Sequence, residues 1–419
     1  MNEEKFRTLR ERLLESLEEY REIGDQEIYQ RIDELLLDDS MEHYMRLAER
    51  YALRKELFNS IRRLDILQEL LEDDTITEIM VNGTDGIFIE RYGRLTRWEK
   101  CFGSAEKLQD IAQQIVGRCN RIVNEAVPIV DARLEHGERV NIVMPPVALN
   151  GPVITIRRFP NRAIRMEQLV NWGSISAEVA TLLRSLVCAR YNIFISGGTG
   201  SGKTTFLNTL SDFIPKDERI ITIEDNAELQ IQGVTNLVRL EARNANTEGK
   251  LAITIRDLIR ASLRMRPDRI LIGEIRGAEA IDLLQALNTG HDGSLSTGHA
   301  NTPQDMLSRI ETMALMDFDM PLSAIRRQIA SGIDLIVHLG RLRDKTRKVL
   351  QILEILGYDP QSGEIRTQVL YEFVEEGVDA CGKVCGRLVA RKGLRRREKL
   401  ERAGLTLYTV TGGSILIPA

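Results

Sequence analysis

No stretch of this sequence stays apolar for the roughly eighteen residues that a membrane-crossing helix needs, so nothing in it is expected to span a bilayer. The opening MNEEKFRTLRERLLESLEEY alternates charges and has no apolar core of a secretory signal. Neither sign of charge dominates: 57 Lys and Arg stand against 62 Asp and Glu, a net charge of −5. That balance argues against a protein that coats nucleic acid non-specifically, although a local basic stripe remains compatible with it. Cysteines are few, five in 419 residues, and their odd, scattered count fits a reducing compartment. Cys381 and Cys385 have no second pair to complete a zinc site and read as ordinary thiols. Internal repeats and low-complexity segments are lacking as well. What remains is a cytoplasmic protein, or one held at a membrane by a partner.

The length suits two or three domains, and 43% hydrophobic with 28% charged residues is a globular composition. One stretch, NIFISGGTGSGKTTFLNTLSDF from Asn192, stands out. A β-branched apolar run breaks into a glycine-dense turn, and Phe206, Leu207, Leu210, Phe213 and Ile214 then recur at helical spacing. The turn fits G-x-x-x-x-G-K-[ST], with Gly197, Gly202, Lys203 and Thr204 in the fixed places. Backbone N–H groups of Gly197, Gly198, Thr199, Gly200, Ser201, Gly202, Lys203, Thr204 and Thr205 can close around an anion, helped by the helix N-terminus. Lys203 would reach the β- and γ-phosphates and the Thr204 hydroxyl would ligate Mg²⁺. The loop predicts a nucleoside triphosphate.

Along the chain, residues 1–72 carry apolar side chains at helical spacing: Phe6, Leu9, Leu13, Leu17 and Tyr20, then Ile28, Ile32 and Leu35, then Tyr44, Leu47, Ala48 and Tyr51. They predict a bundle of three amphipathic helices, packed on its own chain. From Thr75 strands dominate: ITEIMVN and GIFIERY flank a glycine turn, a helix presents Leu108, Ile111, Ala112, Ile115 and Val116, and strands about 131–135, 139–144 and PVITIRRF follow. Residues 73–160 therefore predict an α+β domain. Phe159-Pro160-Asn161 ends it, and 161–173 reads as a linker with a short helix, where a hinge would serve a nucleotide-binding domain.

Over 174–364 strands at about 219–225, 236–243, 269–273, 293–297 and 333–339 alternate with helices at 177–190, from 254, at 277–288 and at 303–313. This predicts an α/β domain with an open, parallel-rich sheet, helices on both faces and ligand at the carboxyl ends of the strands. Residues 365–419 read as a C-terminal extension, a hairpin arm followed by the basic GRLVARKGLRRREKLERAG, which is expected to be a solvated helix.

Three clusters gain meaning beside the phosphate loop. ITIEDNAEL delivers Glu224 and Asp225 at a strand end, where a carboxylate can orient or deprotonate water. In RILIGEIRGAEA, Gly273 stands where most phosphate-loop ATPases have a Mg²⁺-holding Asp, and Glu274 follows. Glu274 is expected to reach the metal through water or to share activation of the nucleophile. NTGHDGSLSTGHANTP contains His291 and His299, eight apart and so not a helical metal pair, and His299 suits a γ-phosphate contact better.

Together these clusters resemble the type II/IV secretion ATPase superfamily: GGTGSGKTT looks like its Walker A, ITIEDNAEL its Asp box, RILIGEIRGAEA its Glu-bearing Walker B and TGHDGSLSTGHANTP its His box. The run from Arg239 to Glu311 looks most like the branch that powers tight-adherence (Tad/Flp) pilus assembly. The resemblance covers roughly 75–360, and Gly273 is similar to the family's own pattern. It implies a homo-hexamer whose PAS-like α+β domain closes over ATP held by a RecA-like domain. By the same resemblance, ITIRRF and ARLEHGERVN imply that Arg157, Arg158, Arg133 and Arg139 reach the phosphates, and Arg243 is expected to act across a subunit boundary. It further implies Mg²⁺, hydrolysis coupled to domain motion, inner-membrane platform proteins as partners and membrane contact only through them.

Two other readings compete. A conjugative-type type IV secretion ATPase that exports substrate or DNA shares the motifs, and a RecA-type nucleic-acid translocase would need a charge excess that is missing. A regulatory switch that scarcely turns over is opposed by the carboxylates of both boxes. Residues 1–72 and 365–419 match no pattern of the family.

Overall fold

The computed structural model describes residues 3–17, 23–42, 45–91, 93–119, 121–135, 137–158, 164–243, 252–317, 319–380, 382–405, 407–410 and 413–416. They fall into two compact units, Met1–Asn161 and Arg162–Ala419.

The first unit begins with helices α1 (Glu3–Leu17), α2 (Asp25–Glu42) and α3 (Leu47–Arg62). Their apolar stripes meet in one core of Leu9, Leu13, Ile28, Ile32, Leu36, Leu53, Leu57 and Phe58. Tyr20 and Tyr44 lie outside the described residues. The bundle closes at Arg62 rather than at 72, because α4 (Ile66–Glu72) gives Leu67 and Leu70 to the next core. That core lies under an antiparallel sheet of β1 (Ile76–Asn82), β2 (Ile87–Arg91), β3 (Arg94–Arg97), β4 (Ile129–Arg133), β5 (Arg139–Val143) and β6 (Val153–Arg157), ordered β3-β2-β1-β6-β5-β4. Helix α5 (Ala105–Arg118), capped by the Ser104 hydroxyl on Lys107 N–H, lays its predicted apolar face against that core. Alternation along the strands leaves the opposite face polar.

The second unit starts with α6 (Met166–Asn171), the short helix expected within 161–173, whose Met166 and Leu169 are core residues. Residues 159–163 lie outside the described residues. Next come α7 (Ala177–Cys188), β7 (Ile193–Gly197), α8 (Lys203–Ser211), β8 (Ile220–Glu224), β9 (Leu237–Glu241), α9 (Ile255–Ser262), β10 (Arg269–Ile272), α10 (Glu279–Leu287), β11 (Leu295–His299), α11 (Pro303–Leu315), α12 (Leu322–Gly332) and β12 (Leu335–Arg341). After them follow β13 (Arg347–Asp359), β14 (Glu364–Val378), β15 (Val384–Ala390), α13 (Glu398–Arg402) and a small hairpin of β16 (Leu407–Val410) and β17 (Gly413–Leu416). The sheet runs β15-β14-β13-β12-β7-β11-β10-β8-β9, parallel from β12 to β9 and antiparallel from β12 to β15. β7, β8 and β10 are buried along their whole length, which is why apolar residues dominate them without alternating with polar ones. One core joins the sheet to α6, α7 and α8, the other to α9 through α12.

Three expectations need correction. Helix α12 went unforeseen; only Ile325, Ile329, Ala330 and Gly332 of its short span are buried, a thin stripe between polar residues. The boundary at 364–365 cuts a hairpin, since β14 and β15 continue the same sheet. The basic stretch is not a solvated helix: 384–390 form β15, and the residues after it fold back on their own unit. Leu394 and Leu400 enter the core, and Lys399 Nζ lies 2.6 Å from Asp292 and 2.7 Å from Asp334. The Glu354 carboxylate accepts the Arg395 and Arg396 N–H groups. Buried acids at the amino end of the parallel strands draw those cations in. Cys381 lies outside the described residues, and Cys385 is a free, exposed thiol on β15.

Candidate active site at the phosphate loop

Strand β7 lies between β11 and β12, and its carboxyl end breaks into the glycine turn before α8. Gly197 has φ +157°, and a Cβ there would stand 2.4 Å from the Leu339 carbonyl oxygen, so only glycine fits. Gly202 takes φ +93° at the helix cap. Gly198, Thr199, Gly200 and Ser201 form the turn, Thr204 and Thr205 the first turn of α8. Lys203 is only 7% exposed, and its Nζ donates to the carbonyls of Gly197 at 3.2 Å and Gly198 at 3.0 Å. Arg347, from β13, donates Nε to the Gly200 carbonyl at 2.7 Å.

Because the neighbouring strands run parallel, their carboxyl ends bring the other boxes to this edge. Glu224 closes β8, is 2% exposed, and accepts the backbone N–H of Glu228 at 2.7 Å and of Leu229 at 2.8 Å on Oε2. Its Oε1 is buried with no hydrogen-bond partner among the described residues. Burial pushes the Glu224 carboxyl up to about 7, against the opposing pull of the two amides and Arg239. A Cβ at Gly273 would come 3.0 Å from Glu224 Cγ, so the carboxylate of β8 takes the space that a side chain on the next strand would fill.

Glu274 follows Gly273, with Oε1 3.0 Å from His299 Nε2 and Oε2 accepting Arg276 at 2.9 Å. His299 closes β11, and its Nδ1 lies 3.3 Å from Lys203 Nζ. Lysine can only donate, so a neutral imidazole offers it a lone pair, and Lys203 Nζ lies 3.5 Å from Nε2 as well, while Glu274 Oε1 makes no hydrogen bond to the ring among the described residues. Burial first, then Lys203, Arg276 and Arg309, push the imidazole below its ordinary range against Glu274, favouring this neutral form. The result is a polar chain Lys203–His299–Glu274–Arg276. Thr204 Oγ1, Glu274 and the unpartnered Glu224 Oε1 are hard oxygen donors of the kind Mg²⁺ takes. Among the described residues no three His, Cys, Asp or Glu side chains form a metal cluster.

In the first unit the open sheet face brings together three predicted arginines. Arg133 pairs with Arg139 and Arg139 with Arg157 across β4, β5 and β6, and Glu78 is the next neighbour of Arg157 on β1. Like charges directly opposite one another destabilise a sheet, so this row suits an anion. Arg158 does not join it. Its guanidinium donates to the carbonyls of Asp73 and Ile76 and to Asp74. Arg243 bridges Ile253 through its backbone just past the end of β9. His291 precedes β11, at the opposite end of that strand from His299, with Nδ1 on the Ala286 carbonyl.

Sequence reasoning passed over Arg276, Arg347 and His338. Arg276 could have been found within the Glu274 motif. Arg347 and His338 meet the loop only through strand register.

The type II/IV secretion system protein family matches residues 62–399. The type IV secretion system protein PtlH of Bordetella pertussis is 35% identical over 303 residues, covering 66% of this chain and 89% of its own. The conjugal transfer protein TrbB of Rhizobium radiobacter is 33% identical over 302 residues, covering 70% and 88%. Among solved structures, the Legionella pneumophila ATPase DotB aligns with a TM-score of 0.50 at 21% identity, over 72% of this chain and 81% of that one, a likeness of fold. With Walker A, Asp box, Walker B and His box gathered at one sheet edge, the chain is an ATPase that belongs to the type II/IV secretion system protein family.

Proposed function

We propose that this ATPase works as a homo-hexamer at the inner face of the cytoplasmic membrane, converting ATP hydrolysis into domain motion that powers Tad/Flp-type pilus assembly through inner-membrane platform proteins. The observation that carries the catalytic part is the convergence of Lys203, Glu224, Glu274 and His299 at the carboxyl edge of one parallel sheet. Glu224 orients the attacking water and takes its proton, since its carboxyl sits near neutrality with one oxygen unspent. Lys203 leaves the loop carbonyls for the phosphates, and His299 reports that move to Glu274. When bound, Mg²⁺ offsets phosphate charge, with Thr204 and Glu274 as the residues to hold it. Arg157, Arg139 and Arg133 supply planar donors to phosphate oxygens in the assembled enzyme, and an arginine in that role contributes ~10³-fold or more to turnover. Arg243 serves a neighbouring subunit.

The pilus assignment rests on the run from Arg239 to Glu311. The names of the two relatives favour a second reading, a conjugative-type machine that exports substrate or DNA. The test is ATP turnover per chain against protein concentration, with mass measured on the same samples and Lys203→Ala as the inactive control. Turnover rising with a six-subunit species supports the ring, and equal turnover by a monomer removes it. Scoring surface pili against DNA transfer in cells that carry only the Lys203→Ala protein decides between the two machines.

A further inference from the structure

Between β8 and β9 the chain runs through 225–236 without helix or strand, and side chains hold its backbone in place. The N–H groups of Glu228 and Leu229 donate to Glu224 Oε2 at 2.7 and 2.8 Å, and the next one, of Gln230, donates to Asn208 Oδ1 at 2.9 Å. Asn208 belongs to α8, the helix that begins with Lys203. From the other side Arg239, on β9, donates Nη2 to the Leu229 carbonyl at 3.0 Å. The Leu229 side chain is fully buried, in the core that also takes Phe206, Leu207 and Leu210 of α8. One short turn is thus fastened to three elements.

That turn carries both amides that hold the Glu224 carboxylate, so the place of the turn sets the place of the carboxylate. A side chain aimed by two backbone N–H groups is only as fixed as the backbone that bears them. Asn208 and Arg239 are the side chains that fasten this backbone, and neither lies in the motifs' catalytic positions.

We propose that Asn208 and Arg239 are positioning residues for Glu224: by gripping the 228–230 turn from α8 and from β9, they keep its two amides where the carboxylate is aimed at the attacking water. Neither touches the nucleotide in this role. Because Asn208 rides on the helix that follows the phosphate loop, phosphate site and base are held in one frame. The inference rests on the reading of Glu224 as the base.

The experiment is a double-mutant cycle of Asn208→Ala with Glu224→Gln, read as kcat for ATP hydrolysis and as affinity for a fluorescent ATP analogue. Asn208→Ala should lower kcat on the order of tenfold, the loss expected from one hydrogen bond realised at the transition state. Affinity should stay unchanged, and Asn208→Asp, which keeps an oxygen for the Gln230 N–H, should restore kcat. Glutamine at 224 can still accept the two amides but cannot take a proton, so in that background Asn208→Ala should cost no more than about twofold. Arg239→Met removes the grip from β9 together with a positive charge that favours the ionised carboxylate. Its loss should likewise vanish behind Glu224→Gln, which keeps the test alive if the alanine variant does not fold.

Wild-type kcat in both Asn208→Ala and Arg239→Met would overturn the proposal. So would losses that multiply in full with that of Glu224→Gln, because the two residues would then act elsewhere. A parallel loss of affinity and kcat in Asn208→Ala would overturn it as well, since the asparagine would then be shaping the phosphate loop. Glu224→Gln at wild-type kcat is the distinct result that removes the base itself, and the inference with it.

Discussion

Two glutamates compete for the role of base, and their surroundings separate them. Both glutamates keep an Oε1 without a hydrogen bond among the described residues, but that of Glu274 lies 3.0 Å from His299 Nε2 and its Oε2 accepts Arg276, while Glu224 is held by two backbone amides on one oxygen and is the more deeply buried. A base is useful when ionised, and burial holds Glu224 at about 7. As pH falls through about 7 the carboxylate gains a proton and kcat should fall, while ATP affinity should not. A kcat profile that stays flat down to the ordinary range of an exposed glutamate would refute this assignment. Glu224→Gln should cost roughly 10²–10⁴-fold in kcat and erase that acid limb. Glu274→Gln should cost less and slow release of bound nucleotide, read by single-turnover quench.

At the scale of elements, the C-terminal segment shows how context overrides composition. Its cations resemble a solvated or nucleic-acid-binding run, yet Lys399 is tied to Asp292, Asp334 and the Arg190 carbonyl. Arg396 adds an ion pair to Asp334 at 3.3 Å, and Tyr191 donates its hydroxyl to the Arg396 carbonyl. The strap covers the amino ends of β7 and β12, the edge opposite the active site. Replacing Lys399 by Met leaves Asp334 short of one partner while Arg396 and the Asn192 N–H remain. The expected cost is therefore about 2 kcal/mol, below the range for a buried charge left alone. Chemical denaturation should show it, with kcat at low temperature unchanged. Exposed basic residues would show no such loss.

At the scale of the molecule, the cores of the two units share no residue among the described ones. Leu108 anchors α5 to the first sheet and Leu183 packs α7 onto the second. Scanning calorimetry should resolve distinct transitions. Leu108→Ala should lower one and Leu183→Ala the other, each by roughly 2–5 kcal/mol of local stability. Both variants lowering a single common transition would mean that the units unfold as one. Among the described residues no helix is long and apolar enough to cross a membrane, in keeping with the sequence expectation.

The phosphate loop, the carboxylates of the two acidic boxes, His299 and the alternation of strands and helices were determined by the sequence itself, because each is local: a glycine turn, an apolar run, a residue at a strand end. Helices α1 and α2 were legible for the same reason, their stripes recurring every three or four residues, whereas on α3 the stripe read from Leu47, Ala48 and Tyr51 is exposed and Leu53, Leu57 and Phe58 are buried instead. Tertiary structure decided what depends on register between distant strands. It set Glu224 over Gly273, which accounts for the missing carboxylate of the second strand. It lined up Arg133, Arg139 and Arg157 while turning Arg158 inward onto the Asp73 carbonyl. It also drew Lys399 onto Asp334 and brought His338 and Arg347 to the loop from more than a hundred residues away. Side chains that meet only when a parallel sheet closes leave no periodic trace along the chain, and their partners become visible only once the strands are in order.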